Sequence, residues 1–189
     1  MKVTREQAMA HREQILDVAS TLLRERGYDG LGIHDIMQKV GLTHGGFYGH
    51  FASKDDLSAE ITARVLGKNG WPKTAKAGNV KPSFSEAVRA YLSPRHRDDP
   101  GHGCLLAAVG SDIGRQTHNI RRAFTEGFRA RVEMLRTLAP GRSAAARRKK
   151  ALATMAGLVG ALILSRAVDD PTLSQEILDA MAATTVGRS

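Results

Sequence analysis

The sequence predicts an all-α fold of about nine helices, and three observations carry that prediction. Apolar residues recur every three or four positions through long stretches of the chain, which is the spacing of one helix face. No run of alternating apolar and polar residues stands between hairpin turns, as strands would require. Aromatic residues, which strands favour, make up only 5% of the chain. At 189 residues the chain is long enough to bury a substantial core, in one large domain or two small ones.

Two helices separated by a glycine turn are predicted at the N-terminus. The first spans about 5–26, and Gly27 is a natural residue to end it. A shorter helix spans about 33–40 and ends at Gly41, after which Leu42 packs back toward the core. The residues that give these helices their apolar faces are Ile15, Ala19, Leu22, Leu23, Ile36, Met37 and Val40.

The next stretch, "THGGFYGHF" over 43–51, places three glycines where a third helix is expected. Each glycine weakens a helix by about 1 kcal/mol relative to alanine. Phe47 and Phe51 are four residues apart, so they can anchor one face while the glycine-rich face allows close approach of another molecule. We therefore expect a short helix over 44–50 that is loosely ordered in the free protein. Ser53 is a strong N-cap for a longer helix that ends near Leu66.

The rest of the chain is predicted to hold five more helices. Glycines and prolines in 67–83 indicate a linker, and the polar stretch 94–103 is predicted to be a loop. Asp170-Pro171 marks the join between the last two helices. The expected helices lie at about 84–92, 104–114, 117–138, 145–168 and 172–184.

Charge and cysteine content limit the choice of function and compartment. The formal net charge is +9, but residues 1–70 hold nine basic and nine acidic residues, so bulk charge does not mark a nucleic-acid-binding part. The single cysteine, Cys104, rules out an internal disulfide framework and fits a reducing compartment. The N-terminus lacks the apolar block of a secretory signal, and the apolar stretch 151–168 ends at Arg166, short of a bilayer span. We expect a cytoplasmic protein with no membrane partner.

Residues 12–57 carry a set of motifs in a fixed order with the spacing of a helix-turn-helix. A Gly-Tyr ends the first helix, an Asp-Ile lies in the second, a Gly-Leu-Thr turn follows, and aromatic and capping residues come after it. These motifs are Gly27-Tyr28, Asp35-Ile36, Gly41-Leu42-Thr43, Gly45, Tyr48, His50-Phe51, Ser53-Lys54 and Leu57. The set resembles the TetR family of transcriptional regulators, and the resemblance covers the first third of the chain.

That resemblance implies a helix-turn-helix DNA-binding domain over 1–52 and a connecting helix over 53–66. A linker or mobile loop over 67–83 and an effector-binding and dimerisation domain over 84–189 would follow. It also implies a homodimeric repressor that binds a palindromic double-stranded DNA operator and leaves it when a small-molecule effector binds. An activator role is possible within such families. No cofactor and no enzymatic activity are expected.

The resemblance assigns the DNA contacts residue by residue. The Tyr48 hydroxyl and the Lys54 amine would touch phosphate, and the others would face the major groove. Two alternatives stay open, since Tyr48 could be a core tyrosine and His50 a packing residue. No Arg or Lys lies between Thr43 and His50, so the bidentate guanine contact is missing and we expect sparse base readout, with phosphate contacts and DNA shape carrying more of the specificity. The DNA-binding candidates are Thr43, His44, Gly45, Tyr48, His50 and Lys54.

The C-terminal candidates also follow from the resemblance, and plain core packing is the alternative for each. Gly157, Gly160 and Ala161 would allow close helix approach at a four-helix dimer interface. The effector-pocket candidates are Tyr91, Leu92, Cys104, Leu105, Leu106, Val109, Phe124, Phe128 and Met155. The dimer-interface candidates are Leu152, Met155, Val159, Leu162, Ile163, Ile177, Leu178 and Met181.

The string "PRHRDDPGHGC" over 94–104 leaves other interpretations open. Cys104 lies at a predicted helix N-terminus, which lowers a thiol pKa, so a repressor that senses electrophiles or oxidants is an alternative to a plain buried cysteine. Arg95 and Arg97 would oppose a cation, so no metal site is expected. Metal-ligand types are nevertheless present at His96, Asp98, His102 and Cys104.

Two alternatives from other function classes remain. An enzyme could use the His, Asp and Cys residues of the string, but no third group orients a Cys–His pair and no glycine-rich phosphate cradle occurs. An architectural DNA-binding protein without an effector would lack a cavity in the C-terminal half.

Overall fold

The computed structural model describes residues 4–67 and 82–187, and every regular element in those ranges is helical. This confirms the predicted all-α fold. The linker predicted over 67–83 lies outside the described residues except at its ends. The α-helices are α1 (Arg5–Arg26), α2 (Ile33–Lys39), α3 (Lys54–Leu66), α4 (Phe84–Tyr91), α5 (Pro94–Asp98), α6 (Leu105–Val109), α7 (His118–Leu138), α8 (Ala144–Ala167) and α9 (Pro171–Val186). Three 3₁₀ helices lie at His44–Gly49, Pro100–His102 and Ile113–Arg115.

Local sequence signals set the ends of the first two helices. Thr4 and Gln7 form a capping box at the start of α1, in which the Gln7 N–H donates to the Thr4 hydroxyl at 3.2 Å. Gly27 ends α1 with φ of 70°, and Gly41 follows α2 with φ of 72°. Both are left-handed conformations that glycine adopts without strain, as the sequence predicted.

The N-terminal and C-terminal helices share one core. Its largest cluster of buried side chains runs from α1 through α3 and α6 to α7 and α8, and includes Leu16, Leu57, Leu105 and Leu135. A second cluster joins α4, α8 and α9. Cys104 packs against both clusters. The two halves of the chain therefore share one continuous hydrophobic core.

The contact between α3 and α7 is unusually close. A Cβ atom added at Gly127 of α7 would overlap the side chain of Leu66, the last residue of α3. Arg131, one turn further along α7, donates a hydrogen bond from Nη2 to the Val65 carbonyl at 3.0 Å. The end of α3 is thus fixed to α7 by shape and by a hydrogen bond.

The prediction of a loop over 94–103 is wrong. Ser93 caps α5 by accepting from the His96 N–H at 3.3 Å, and Pro94 occupies the first helical position. Asp99 and Pro100 start the following 3₁₀ helix in the same way. Each proline begins a helix instead of breaking one, because the missing N–H of the first turn needs no partner. The helix expected over 104–114 is also shorter, since α6 ends at Val109.

The penultimate helix α8 is, among the described residues, the helix long and apolar enough to cross a membrane by length and composition alone. One face of it is buried in the protein's own core, through Ala151, Met155, Leu158 and Leu162. A Cβ added at Gly157 would overlap the end of the Met181 side chain, so that glycine makes room for α9. This is the packing of a core helix.

Candidate nucleic-acid interface

The glycine-rich segment, His44–Gly49, forms a 3₁₀ helix instead of the predicted α-helix. It begins after Thr43, which stands at the N-cap position without a side-chain capping bond, and it ends at His50. Three glycines in six residues supply little helix propensity, and 3₁₀ helices are the form that such short pieces take. The segment connects the α2 turn to Ser53.

Two phenylalanines anchor the segment. Phe47 is fully buried and Phe51 is nearly so, and their rings stack with centroids 5.5 Å apart at an interplanar angle of 28°. A Cβ added at Gly46, which is exposed, would lie 3.5 Å from the Thr43 hydroxyl and 3.6 Å from the Met37 side chain of α2. The inner face is therefore fixed to the core, as the four-residue spacing of the phenylalanines predicted.

Tyr48 points outward from the same segment. It is 59% exposed, although its ring lies edge-on to Phe47 at 5.3 Å and to His44 at 6.1 Å. This exposure excludes the alternative of a core tyrosine. An exposed aromatic ring with its hydroxyl in solvent is available to a phosphate.

Gly45 and Gly49 leave part of the exposed backbone bare. A Cβ atom added at either position would meet no atom of the chain within 4 Å. Packing within the protein therefore does not require glycine at these two sites. Among the described residues, no side chain therefore stands between a partner and the backbone at either position.

His50 is half-buried, and its ring lies edge-on to that of His11 with centroids 6.4 Å apart. Burial lowers the pKa of His50, and the neighbouring His11 and Arg12 lower it further. The imidazole thus combines a packing contact with a partly exposed edge, and its role in DNA contact stays a prediction.

Lys54 is the first residue of α3 and is half-buried. Ser53 caps this helix by accepting from the Asp56 N–H at 3.0 Å, which confirms the predicted N-cap. Lys54 stands at the end of α3 where the backbone N–H groups favour an anion. The glycine-rich segment thus carries the Tyr48 hydroxyl, and a cation follows it at Lys54.

Ion pairs join α1 to α3, the two helices on either side of α2 and the glycine-rich segment in the sequence. Arg12 makes two hydrogen bonds to Glu60, at 2.7 and 2.6 Å, and its guanidinium lies 4.7 Å from the centre of the Phe51 ring. Arg64 pairs with Glu13 at 2.7 Å and with Asp17 at 2.9 Å. Sequence reasoning missed these pairs. The signal available was the i, i+4 spacing of the two acids on α1.

Tyr28 adds a buried link between the same two parts. Its hydroxyl donates to the Thr62 hydroxyl at 2.9 Å, and Thr62 donates to the Ser58 carbonyl at 2.6 Å. The motif tyrosine that follows α1 therefore joins the turn to α3. This hydrogen bond and the ion pairs together hold α1 and α3 in a fixed arrangement.

The effector-pocket candidates surround the junction of the two core clusters. Tyr91, Leu92, Leu105, Leu106, Val109 and Met155 are buried, whereas Cys104, Phe124 and Phe128 are half-buried. Their arrangement is compatible with core packing and with a pocket lining, so their role stays a prediction. The structure brings Tyr91 and Cys104 together, although they are 13 positions apart in sequence.

His96 explains how these two residues meet. Its Nδ1–H donates to the Tyr91 carbonyl at 2.7 Å, and its Nε2 accepts from the Cys104 N–H at 2.9 Å. Both ring nitrogens are therefore occupied, and burial lowers the pKa of the imidazole. In the described ranges no three potential ligands are grouped to hold a metal ion. The string thus folds as a structural connection, with Cys104 at the N-cap position of α6.

The dimer-interface candidates differ in exposure, and their role in a dimer stays a prediction. Met155, Leu162 and Leu178 are fully buried within one chain. Gly157 and Ala161 likewise serve the internal packing. Of the remaining candidates, Leu152 and Ile163 are exposed, and Val159, Ile177 and Met181 are half-buried. Leu164, which sequence reasoning missed, is 56% exposed.

Comparisons with known proteins agree with this geometry. The sequence model of the bacterial regulatory proteins of the tetR family matches residues 15–61. The chain is 38% identical over 142 residues to the HTH-type transcriptional repressor Rv1474c of Mycobacterium tuberculosis, a match that covers 70% of this chain and 76% of that protein. It is also 38% identical over 58 residues to the HTH-type transcriptional regulator AcrR of Shigella flexneri, covering 31% of this chain and 27% of AcrR.

The fold matches as a whole. The crystal structure of a TetR-family transcriptional regulator from Agrobacterium tumefaciens superposes with a TM-score of 0.73 at 24% sequence identity. The superposition covers 94% of this chain and 98% of the other. The family model matches the helix-turn-helix, and the identity to the repressor Rv1474c extends over most of both chains. The chain therefore belongs to the tetR family of bacterial regulatory proteins.

Proposed function

We propose that this protein is a dimeric, ligand-responsive transcriptional repressor that binds a palindromic operator through the glycine-rich segment. The observation that carries the proposal is the two-sided character of that segment. Phe47 is fully buried while Tyr48 is 59% exposed, and Lys54 lies at the start of the next helix. Family membership and the repressor relative support the same function.

Phosphate contacts carry most of the proposed DNA affinity. The Tyr48 hydroxyl and the Lys54 ammonium are the groups suited to phosphate oxygens. The side chains proposed to contact base edges are at the ends of the segment: Thr43, His44 and His50. Since the segment offers no Arg or Lys for a guanine, we expect base readout to be sparse and DNA shape to add to specificity.

The outer face of α8 supports the proposed dimer. Leu152, Ala156, Gly160 and Leu164 recur every four residues, and all are exposed or half-buried in the single chain. A Cβ added at Gly160 would meet nothing within 4 Å, so this stripe has room for a helix from a second copy. A two-fold axis there would set two glycine-rich segments about one DNA turn, roughly 34 Å, apart.

The link between α3 and α7 supports the proposed response to an effector. The ion pairs of Arg12 and Arg64 tie α3 to α1, and the Val65 carbonyl ties the C-terminal end of α3 to Arg131. An effector that moves α7 would therefore move α3 and change the separation of the two DNA-binding domains. Such a ligand shifts the equilibrium by its difference in affinity for the two arrangements.

Selection of bound sequences from a random DNA library by the full-length protein tests this function. We expect a palindrome with few invariant guanines. On the selected duplex, Lys54→Gln should weaken binding and lower the slope of log K against log salt by about 0.9, the share of one phosphate contact. Lys149→Gln, the same change on the exposed surface of α8, should bind as the wild type does. No enriched sequence, or equal effects of the two variants, would overturn the proposal.

A further inference from the structure

Arg131 is a buried cation that has no acidic partner in the described parts of the chain. Its side chain is on α7 and the residue is only 6% exposed. Nη2 donates to the Val65 carbonyl, whereas the buried Nε has no hydrogen-bond partner among the described residues. The groups that bear electrostatically on its guanidinium are Cys104 and Tyr91, and neither is a carboxylate. Residues 1–3, 68–81 and 188–189 contain no Asp or Glu, so no acidic side chain in those parts of the sequence can pair with it either.

Burying a guanidinium without a counter-charge is costly, and such groups are normally paired. Desolvation accordingly lowers the pKa of Arg131. A buried N–H donor left unused in a folded protein calls for an explanation, and a missing anionic ligand is one. An arginine is also the side chain best suited to bind a carboxylate through two parallel hydrogen bonds.

Cys104 and Tyr91 form a corner around Arg131, since both bear electrostatically on its guanidinium. Tyr91 is fully buried, and its ring lies edge-on to that of His96 with centroids 4.6 Å apart. Burial raises the pKa of Tyr91 well above its ordinary value, so the hydroxyl stays protonated and able to donate. On α7 itself, Phe128 and Phe124 lie about one and two turns before Arg131 on the same face and are half-buried.

We propose that Arg131 and the Tyr91 hydroxyl, at the Cys104 corner, bind the carboxylate of a small amphipathic effector whose apolar body lies against Phe124 and Phe128. This inference rests on the proposed function and names the chemical class of its effector. The same guanidinium holds the Val65 carbonyl at the end of α3. Because the guanidinium is planar and rigid, a carboxylate bound at its unused donors would draw the group away from that carbonyl, which couples ligand binding to the position of the DNA-binding domain.

Matched acids and amides test the site on the full-length protein. The probes are octanoate, decanoate, phenylacetate and 3-phenylpropionate, each compared with its primary amide by thermal shift and calorimetry. We expect at least one acid to stabilise the wild type and its amide to bind at least tenfold more weakly. Arg131→Gln should lose at least tenfold in affinity for that acid, and Arg131→Lys should keep the preference for acid over amide. Tyr91→Phe should weaken the acid severalfold.

Arg129→Gln is the matched control, since Arg129 is exposed on the same helix and should bind the acid as the wild type does. Circular dichroism establishes that each variant is folded. The proposal is overturned if no acid stabilises the wild type, if amides bind as well as acids, or if Arg131→Gln binds within twofold of the wild type. Operator binding measured on the same samples separates the two claims. An operator bound without any acid binding leaves the repressor function intact and removes this site, whereas acid binding without operator binding supports the site and removes the repressor function.

Discussion

Arg131 donates a hydrogen bond of 3.0 Å to the carbonyl oxygen of Val65, across 66 positions of sequence. The bond joins α7 to the C-terminal end of α3, next to the point where Gly127 lets Leu66 approach. Because α3 is also tied to α1 by Arg12 and Arg64, this small region connects the C-terminal half of the chain to the DNA-binding domain. Changes at the region should therefore affect stability and DNA affinity together.

Gly127→Ala tests the close contact of α3 with α7. The new methyl group would overlap Leu66, so α3 must shift or the core must absorb the strain, at a cost of about 1–3 kcal/mol. We expect a lower free energy of unfolding in urea and altered operator affinity. Gly114→Ala is the control, because an added Cβ there meets nothing within 4 Å. Equal stabilities of the two variants would contradict the close contact.

Gly45→Ala and Gly49→Ala test the bare backbone of the glycine-rich segment. Neither methyl group meets an atom of the chain, so the free energy of unfolding should stay constant or rise by up to about 1 kcal/mol. Operator affinity should nevertheless fall at least tenfold, because the methyl groups would stand between the backbone and the DNA. Fluorescence anisotropy gives the affinity, again with Gly114→Ala as control. Unchanged affinity in both variants would mean that the backbone does not approach the DNA here.

Leu164→Arg tests the interface on α8. Leu164 is 56% exposed in the single chain, and an arginine there would place a charge within the proposed interface. We expect the variant to sediment as a monomer at micromolar concentration and to lose operator affinity. Met9→Arg, which replaces a residue 62% exposed on α1, should remain a dimer. A wild type that sediments as a monomer both free and on DNA would refute the interface.

His96 predicts a loss of stability at low pH. Burial lowers its pKa in the folded protein, so the unfolded chain takes up a proton first as the pH falls through about 6.5. The free energy of unfolding should be constant above that pH and fall below it, by at most about 1.4 kcal/mol per pH unit for this proton. His50, whose pKa is also lowered, adds to the fall with the same sign.

Variants isolate the contribution of His96. His96→Gln removes the titrating group, so it should lower stability at pH 8 and flatten the fall at lower pH. His118→Gln, at an exposed position at the start of α7, should leave the profile unchanged. A wild-type stability that is independent of pH between 5 and 8 would show that His96 does not titrate in this way.

Much of the fold could be predicted because its signals are local. Gly27 and Gly41 end helices through their own backbone conformations, and Ser53 caps α3 through a residue three positions away. The prediction was wrong where a proline follows a capping residue, because such a proline occupies the first position of a helix. Ser93-Pro94 and Asp99-Pro100 each start a helix in the region that the sequence predicts to be a loop.

The candidate site could be predicted only in part. Family motifs identified Tyr48 and Lys54, and the spacing of Phe47 and Phe51 identified the buried face. The glycine content indicated a weak helix, but not that the segment would close into a 3₁₀ form. Arg131 was missed because its partner is the backbone of Val65, which is 66 positions away. Its separation from acidic groups depends on how α3, α4 and α7 pack together. No local sequence pattern indicates either property.

The central claim is that two copies of the glycine-rich segment bind one palindromic operator. Hydroxyl-radical footprinting of the selected duplex, combined with sedimentation of the same complex, measures this most directly. We predict two chains per duplex and two protected regions about one helical turn apart, related by the symmetry of the palindrome. One chain per duplex, or a single protected region that a scrambled sequence shows equally well, would contradict the account.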